Sequence, residues 1–487
     1  MLHDVSVNIA SGIGYPHVTP FHPSEEYPEW GEELPIAHEA NPVYGLVRDC
    51  IKNLGLDAEH QETAEWNPFG EFITPGDRVL IKPNLVLHFN GSGADVRAVT
   101  THGSVIRPVL DYVIRALKGK GQIIVGDAPQ ANGHFDEIIS QNGLREVVAW
   151  YQAQGMSIEL LDFRKNFYPD GTRDGVREEL PGDPNGYVLV DLGKRSFLEA
   201  ENHLERLYGS DFDRSFIVER HRQGHQYLLS GSVLQADVII SMPKLKTHRK
   251  TGVTINCKNM VGANGDKNYL AHYRVGNARQ GGDEYPPDLS ILANVCYRWD
   301  RIARDHILVR NTMGSRYLYR VLNQPFALLQ KIYRGITGKD LLLGHGDWHG
   351  NDTTWRMCLD LNQIILFADQ EGILHDTPQR KYFSVVDGIV AGEADGPLSP
   401  TPKAAGYVAC GMGGPFAVDY VAMHQMGFDP IKLKVHVEAE KYTHFDFHSS
   451  SLSVACVVDS IPTDYRQVNL RFRPQRNWIG HIERQET

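Results

Sequence analysis

Short apolar runs and amphipathic segments take turns along the first third of the chain. Arg78 to Ile81, Gln122 to Val125 and Ile158 to Asp162 are rich in apolar, largely β-branched residues, and the first follows the turn Pro75-Gly76-Asp77, so each reads as a short buried strand. Between the first two, Val105, Ile106, Val109, Leu110, Val113, Ile114 and Leu117 recur at helical spacing until Gly119 and Gly121 stop them. Glu137 to Gln152 predicts another helix. Strand, helix and strand with short joints make a βαβ unit, which requires a parallel sheet.

The same patterns continue downstream. Val238-Ile239-Ile240 and Phe383 to Ile389 predict buried strands, Ala404 to Cys410 a further strand, and Pro415 to Met426 a helix. Asn41 to Asp57 predicts an amphipathic helix, and Ile291 to Gly338 a largely helical region with apolar positions at helical spacing from Leu318 to Ile332. Trp355 to Phe367 fits a helix or a strand pair. Residues 1–40, rich in Pro, Glu and aromatics, read as an irregular arm. The alternating runs Lys432 to Val437 and Ser453 to Val458 predict a closing antiparallel segment. The expected fold class is therefore α/β: a mostly parallel sheet with flanking helices, one large insertion and a C-terminal antiparallel segment. The expected divisions are an N-terminal arm and helix (1–74), a first α/β half (75–162), the insertion (163–234), a second α/β half (235–430) and C-terminal strands (431–487).

Polar residues gather where these strands end, the place where open α/β sheets bind their ligands. Lys82 and Asn84 follow the strand at 78–81, and Asp127 follows the one at 122–125. After Val238-Ile239-Ile240 come Lys244, Lys246, Lys250, Lys258 and Lys267, with His248, His272, Asn256, Asn259 and Asn264 and the glycines Gly252, Gly262 and Gly265. Cationic and amide donors at this density describe a site for a bound anion. The plain alternative is a solvated basic face. Two features favour the site: the chain carries a net charge of -11, and the cations alternate with residues such as Pro243, Leu245, Val253 and Ile255 instead of with acids.

The candidate catalytic residues are Lys246, His248, Lys258, Asp127 and Asp387. Candidate ligand-binding residues are Lys82, Asn84, Lys244, Thr247, Asn259, Lys267, His272 and Glu393. Lysines crowded together lose protons more readily, which suits proton transfer beside a bound carboxylate or phosphate. A glycine-rich loop holds His345, Asp347, His349 and Asp352, a donor set for a divalent metal or else a structural loop around a buried Trp.

MPKLKTHRKTGVTINCKNMVG at 242–262, with IKPNLV at 81–86, GDAP at 126–129 and VVDGIVAGEADGP at 385–397, resembles the domain-of-unknown-function family number 362. The four blocks stand in the family's order, and the resemblance implies no settled chemistry. PKLKTHRKTGVTINCKNMVG is also distantly similar to a segment of nickel-pincer lactate racemases. That likeness implies 2-hydroxy-acid chemistry with Lys246, His248 and Lys258 as the residues to watch; the remaining blocks do not match, so no nickel cofactor is carried over.

Composition narrows the function further. The acidic balance, with pI near 6.0, argues against a general binder of nucleic acid or of anionic membranes. Six scattered cysteines with no C-x-x-C pair exclude an iron–sulfur cluster or zinc ribbon and suggest a reducing compartment. No G-x-G-x-x-G follows a strand, so no dinucleotide is expected; the cofactor is otherwise left open, with a divalent metal as the candidate. The N-terminus lacks a signal-peptide pattern and no apolar run reaches membrane-spanning length, so a cytoplasmic location is expected. The functional expectation is an isomerase, epimerase or lyase acting on a carboxylate- or phosphate-bearing metabolite; the alternative is a non-catalytic protein that binds an anionic ligand or a partner.

Overall fold

The continuous apolar runs become the middle strands of one eleven-stranded sheet. In the computed structural model, which describes residues 2–485 apart from 32, 210, 211 and 339, its strands are β1 (Val5–Ile9), β2 (Arg78–Pro83), β3 (Gln122–Asp127), β4 (Ile158–Asp162), β5 (Val238–Met242) and β6 (Lys244–His248). They continue with β7 (Gly252–Thr254), β8 (Lys381–Glu393), β9 (Thr401–Met412), β10 (Val454–Val458) and β11 (Ile461–Pro462). The order across the sheet is β11-β10-β1-β9-β8-β5-β2-β3-β4. From β8 to β4 every neighbouring pair is parallel, β9 runs antiparallel to β8 and β1, and β10 with β11 forms the C-terminal antiparallel pair. β6 leaves the end of β5 at Pro243, pairs in parallel with the far half of β8, and turns back antiparallel to β7. The fold class is α/β with a mostly parallel sheet.

Helices cover both faces, which is why the central strands show no polar alternation. The helices are α1 (Pro42–Leu54), α2 (Gly103–Leu117), α3 (Leu144–Ala153), the single turn α4 (Asn256–Asn259), α5 (Ile291–Ile302), α6 (Met313–Thr337), α7 (Thr354–Phe367) and α8 (Phe416–Met426), of which α5 and α6 form smaller clusters of their own apart from the sheet cores. Val79, Ile81, Ile123, Val125 and Ile240 pack under α1, α2 and α3. Their sequence neighbours Leu80, Ile124 and Ile239 point the other way, against α7 and α8. Each such side chain, wholly withdrawn from water, contributes about 1.5–3 kcal/mol, so the two cores hold the strand ends in fixed positions.

Two expectations change. Residues 5–9, read within an irregular arm, form β1, buried throughout between β9 and β10. Its polar members are answered internally, the Ser6 hydroxyl by the Cys50 thiol on α1 and the Asn8 amide oxygen by the Asn53 amide N–H. The run Lys432 to Val437, read as a strand, instead contains the start of a helix over Lys434–Lys441, which buries Val435 and Ala439 one turn apart. Trp355 to Phe367 lies in the helix α7. Within 163–234, the strands Tyr187–Asp191 and Gln226–Ser230 pair antiparallel, and the segment hydrogen-bonds the turn at Gly265 through Lys165 and Leu228.

Candidate functional site

The carboxyl ends of β2, β3 and β5 meet around one buried ion pair. Lys82 Nζ lies 2.5 Å from Asp127 Oδ1. Asp127 also accepts from the backbone N–H of Leu85 at 2.6 Å and of Ala128 at 2.8 Å, so its carboxylate is fixed from three directions. Lys82 donates further to Pro83 O at 3.0 Å and to Asn259 Oδ1 at 3.4 Å; burial lowers its pKa, with Asp127 opposing. Asn259 ties the ends together, giving its amide N–H to Lys82 O and Ser241 Oγ and accepting from Asn84 at 3.1 Å.

Asn259 and Lys258 lie on α4, whose N-terminus is clamped by a carboxylate from α8. Asp419 accepts from the backbone N–H groups of Asn256 and Cys257, each at 2.8 Å, and from the Asn256 amide at 2.9 Å. No cation answers Asp419 among the described residues, and burial pushes its pKa up to about 7. The turn it holds sets the direction of Lys258, which makes no hydrogen bond or ion pair among the described residues. Burial, followed at some remove by Lys250 and Lys82, lowers the Lys258 pKa against the opposing effect of Cys358 and Cys257.

Lys267 approaches from the opposite wall and donates to Ala128 O at 2.9 Å. Burial brings its pKa down to about 7, with Asp127 opposing. Two histidines complete the ring with opposite tautomers. His248 Nδ1 accepts from the N–H groups of Lys250 and Thr251, which leaves its proton on Nε2 as a donor. His272 Nδ1 faces Leu270 O at 2.9 Å; a carbonyl only accepts, so this nitrogen carries the proton and Nε2 keeps its lone pair. Both rings are neutral: burial, then Lys258, holds His248 well below the usual range and takes His272 down to about 3.

Together these groups enclose a cavity of about 70 Å³, room for a few waters or a small anion. Of the residues singled out from the sequence, Asn84, Asp127, His248, Lys258, Asn259, Lys267 and His272 line it, and Lys82 stands behind Asp127. The family model described as Domain of unknown function (DUF362) matches residues 79–174 and 189–424, which include every one of these positions. The chain belongs to this family. The DUF362 match is accompanied by 26% identity over 272 residues to a protein of Synechocystis sp. called "Thylakoid-associated protein", an alignment that takes in 53% of this chain and 60% of that one. The similarity thus spans less than two thirds of the relative's length. A crystal structure of a Thermotoga maritima protein, 9% identical, covers 74% of this chain and 53% of its own with a TM-score of 0.27, too low to bear on the fold.

Other candidates in this DUF362 member do not line the cavity. Lys246 is buried, donates to Val99 O at 2.5 Å, and is held well below the usual lysine range by burial, then by Lys244 and Lys258. Lys244 and Asp387 form a separate buried cluster with Tyr15. Thr247 donates to Ala394 O, and Glu393 pairs with Arg473 and Lys403 at the C-terminal side. Cys257, wedged among lysines, is a buried thiol whose pKa burial pushes well up, so it is no thiolate.

The proposed metal set is not assembled. His345 bonds Glu284 and Asp300, Asp347 pairs with Lys250 and Arg249, Asp352 with Arg356 and Lys434, and the exposed His349 stacks on His481. Cations from distant parts of the chain occupy the carboxylates a metal would need. Among the described residues no group of three or more His, Cys, Asp or Glu is arranged to hold a metal ion. Sequence reasoning missed Asp419 as a residue that shapes the cavity, although it has a visible signal, an acid in the first turn of the largely apolar FAVDYVAMHQM. Gly262 stood among the glycines of the candidate stretch, but its particular role, the absence of a side chain beside Asp127, has no signal in the sequence.

Proposed function

We propose that the cavity binds a small carboxylate- or phosphate-bearing metabolite and moves a proton on it, as an isomerase, epimerase or lyase would. The observation that carries this reading is Lys258, which lines the cavity and makes no hydrogen bond or ion pair among the described residues, while Asp127, the one carboxylate among the described lining residues, is already paired with Lys82. A half-buried cation without counter-charge is costly, and a bound anion removes that cost. An anion would also raise the pKa values of Lys267 and His272, and Lys267, already near neutrality, is the group best matched to proton transfer at physiological pH. His248 Nε2–H would serve as a fixed donor to the anion and His272 Nε2 as an acceptor. Six buried free thiols support a reducing, cytoplasmic setting.

The test is a thermal-shift screen of carboxylate and phosphate metabolites, with titration calorimetry on the hits. Lys258→Ala should weaken a hit about 10- to 100-fold, the worth of one charge-assisted hydrogen bond. A screen without hits, or a hit bound equally by the variant, removes the reading. Wild-type protein should also exchange solvent deuterium into the bound metabolite; binding without exchange would favour the non-catalytic alternative.

The pH dependence has a definite sign. Lys267 is protonated below its pKa of about 7 and neutral above it, so affinity for a carboxylate, whose own charge is constant there, falls as pH rises through 7. Lys267→Arg keeps its charge and should abolish that step. A flat wild-type profile would remove Lys267 from the binding set.

A further inference from the structure

Helix α6 turns its most apolar stripe outward. Met313, Tyr317, Val321, Leu328, Ile332 and Ile336 fall on one side of the helix, and each is between 50% and 80% exposed. The narrower inner face is what packs on the body: Tyr319 on Ala303 and Leu308, Phe326 on Trp299, and Tyr333 near Leu341. The preceding helix α5 exposes Ile291, Val295 and Ile302 as well.

Charge identifies what covers the stripe. The 33 residues from His306 to Gly338 contain five Lys or Arg and no Asp or Glu, within a chain of net charge -11. Arg320, Lys331 and Arg334 flank one edge of the stripe. Arg320 has Asp174 as a neighbour, Arg334 shares Asp340 with Arg476, and Lys331 has no partner among the described residues. A second copy of α6 would bring no carboxylate to answer them. An anionic lipid surface supplies both an apolar layer and negative headgroups. At about 1.5 Å per residue the helix is long enough to span a bilayer, yet among the described residues no helix is long and apolar enough to cross a membrane, so the matching geometry is in-plane. We infer that α6 lies along an anionic membrane surface, its apolar stripe in the headgroup boundary and its basic edge against the phosphates. The net acidity of the chain does not oppose this, because screening confines surface electrostatics to about 10 Å.

Co-sedimentation of the full chain with phosphatidylcholine vesicles, with and without phosphatidylglycerol, tests the inference. The protein should pellet with phosphatidylglycerol-containing vesicles and be released by salt. Leu328→Glu with Ile332→Glu, at positions already in water, should leave melting unchanged and lower partitioning about a hundredfold. Tyr317→Trp provides a second readout that does not disturb the stripe, since its fluorescence should be quenched by brominated lipids. A chain that stays in the supernatant with both vesicle types, with no quenching at Trp, overturns the inference. So does a concentration-dependent dimer that the double variant dissociates while vesicles leave the wild type unbound, which would make the occupant a second copy.

Discussion

Lys244→Met should lower the unfolding free energy by about 3–5 kcal/mol, the cost of leaving a buried charge without its partner. Lys244 Nζ lies 2.8 Å from Asp387 Oδ2 and 2.6 Å from the Tyr15 hydroxyl, and the charged groups are fully buried. Tyr15 donates to Asp387 at 2.6 Å and accepts from Lys244 and from Val390 N–H, so its hydroxyl is saturated. His102 N–H completes the carboxylate at 2.9 Å. The cluster joins the N-terminal segment, the start of α2, β6 and β8 at one point, and methionine would strand Asp387 there. Replacing both partners, Lys244→Met with Asp387→Leu, should restore much of the loss, because an apolar pair of similar volume needs no counter-charge. Urea unfolding of the two single variants and the double variant decides it. Additive losses would mean that the cluster is not an ion pair in energetic terms. Anion affinity in the Lys244→Met protein, measured where it remains folded, should stay near wild type, since neither residue lines the cavity.

That cluster also shows why a lysine-rich sequence stretch overstates its site. On a strand, Lys244, Lys246 and His248 share one face, so alternation alone groups them. The strand also advances about 3.3 Å per residue, which sets Lys244 and His248 about 13 Å apart. Only His248 reaches the cavity; Lys244 meets β8 at Asp387 and Lys246 stops at Val99 O. By contrast, Lys82, Asn84 and Asp127 were legible because a buried parallel strand announces itself as an apolar run and its carboxyl end is fixed by that run. The loop from His345 to Asp352 failed as a metal site for a related reason. Proximity in sequence gathers potential ligands, but Lys250 and Lys434 arrive from elsewhere, and Arg356 from the next helical turn, to neutralise the acids first. Periodicity likewise revealed the amphipathic character of α6 without revealing what its apolar side faces. β1 carries the period of a strand, Val5, Val7 and Ile9 alternating with Ser6 and Asn8, but the Pro-, Glu- and aromatic-rich composition of residues 1–40 set the whole stretch down as an irregular arm.

Gly262→Ala should disable the cavity without replacing any charged group. A Cβ built at Gly262 lies 1.8 Å from Asp127 Oδ1 and 2.7 Å from Lys82 Nζ, distances no real carbon tolerates. One side must yield. Asp127 is held by Lys82 and two backbone N–H groups, so moving it breaks the ion pair and strands a buried carboxylate. Gly262 itself is tied to β3, its carbonyl accepting from Ala128 N–H at 2.9 Å, so the backbone cannot retreat without losing that bond. The expected cost is about 2–5 kcal/mol, overpacking at the lower end and a broken buried pair at the upper. Anion binding should be lost in whatever fraction remains folded, because the displaced methyl and carboxylate intrude on the cavity. Gly335→Ala supplies the contrast: its Cβ meets nothing within 4 Å, and in the exposed helix α6 alanine should gain up to about 1 kcal/mol. Urea midpoints and calorimetric titration on both variants separate the cases. If Gly262→Ala keeps wild-type stability and affinity, the Lys82–Asp127 pair is free to move, and anion recognition does not depend on a rigid wall at this point.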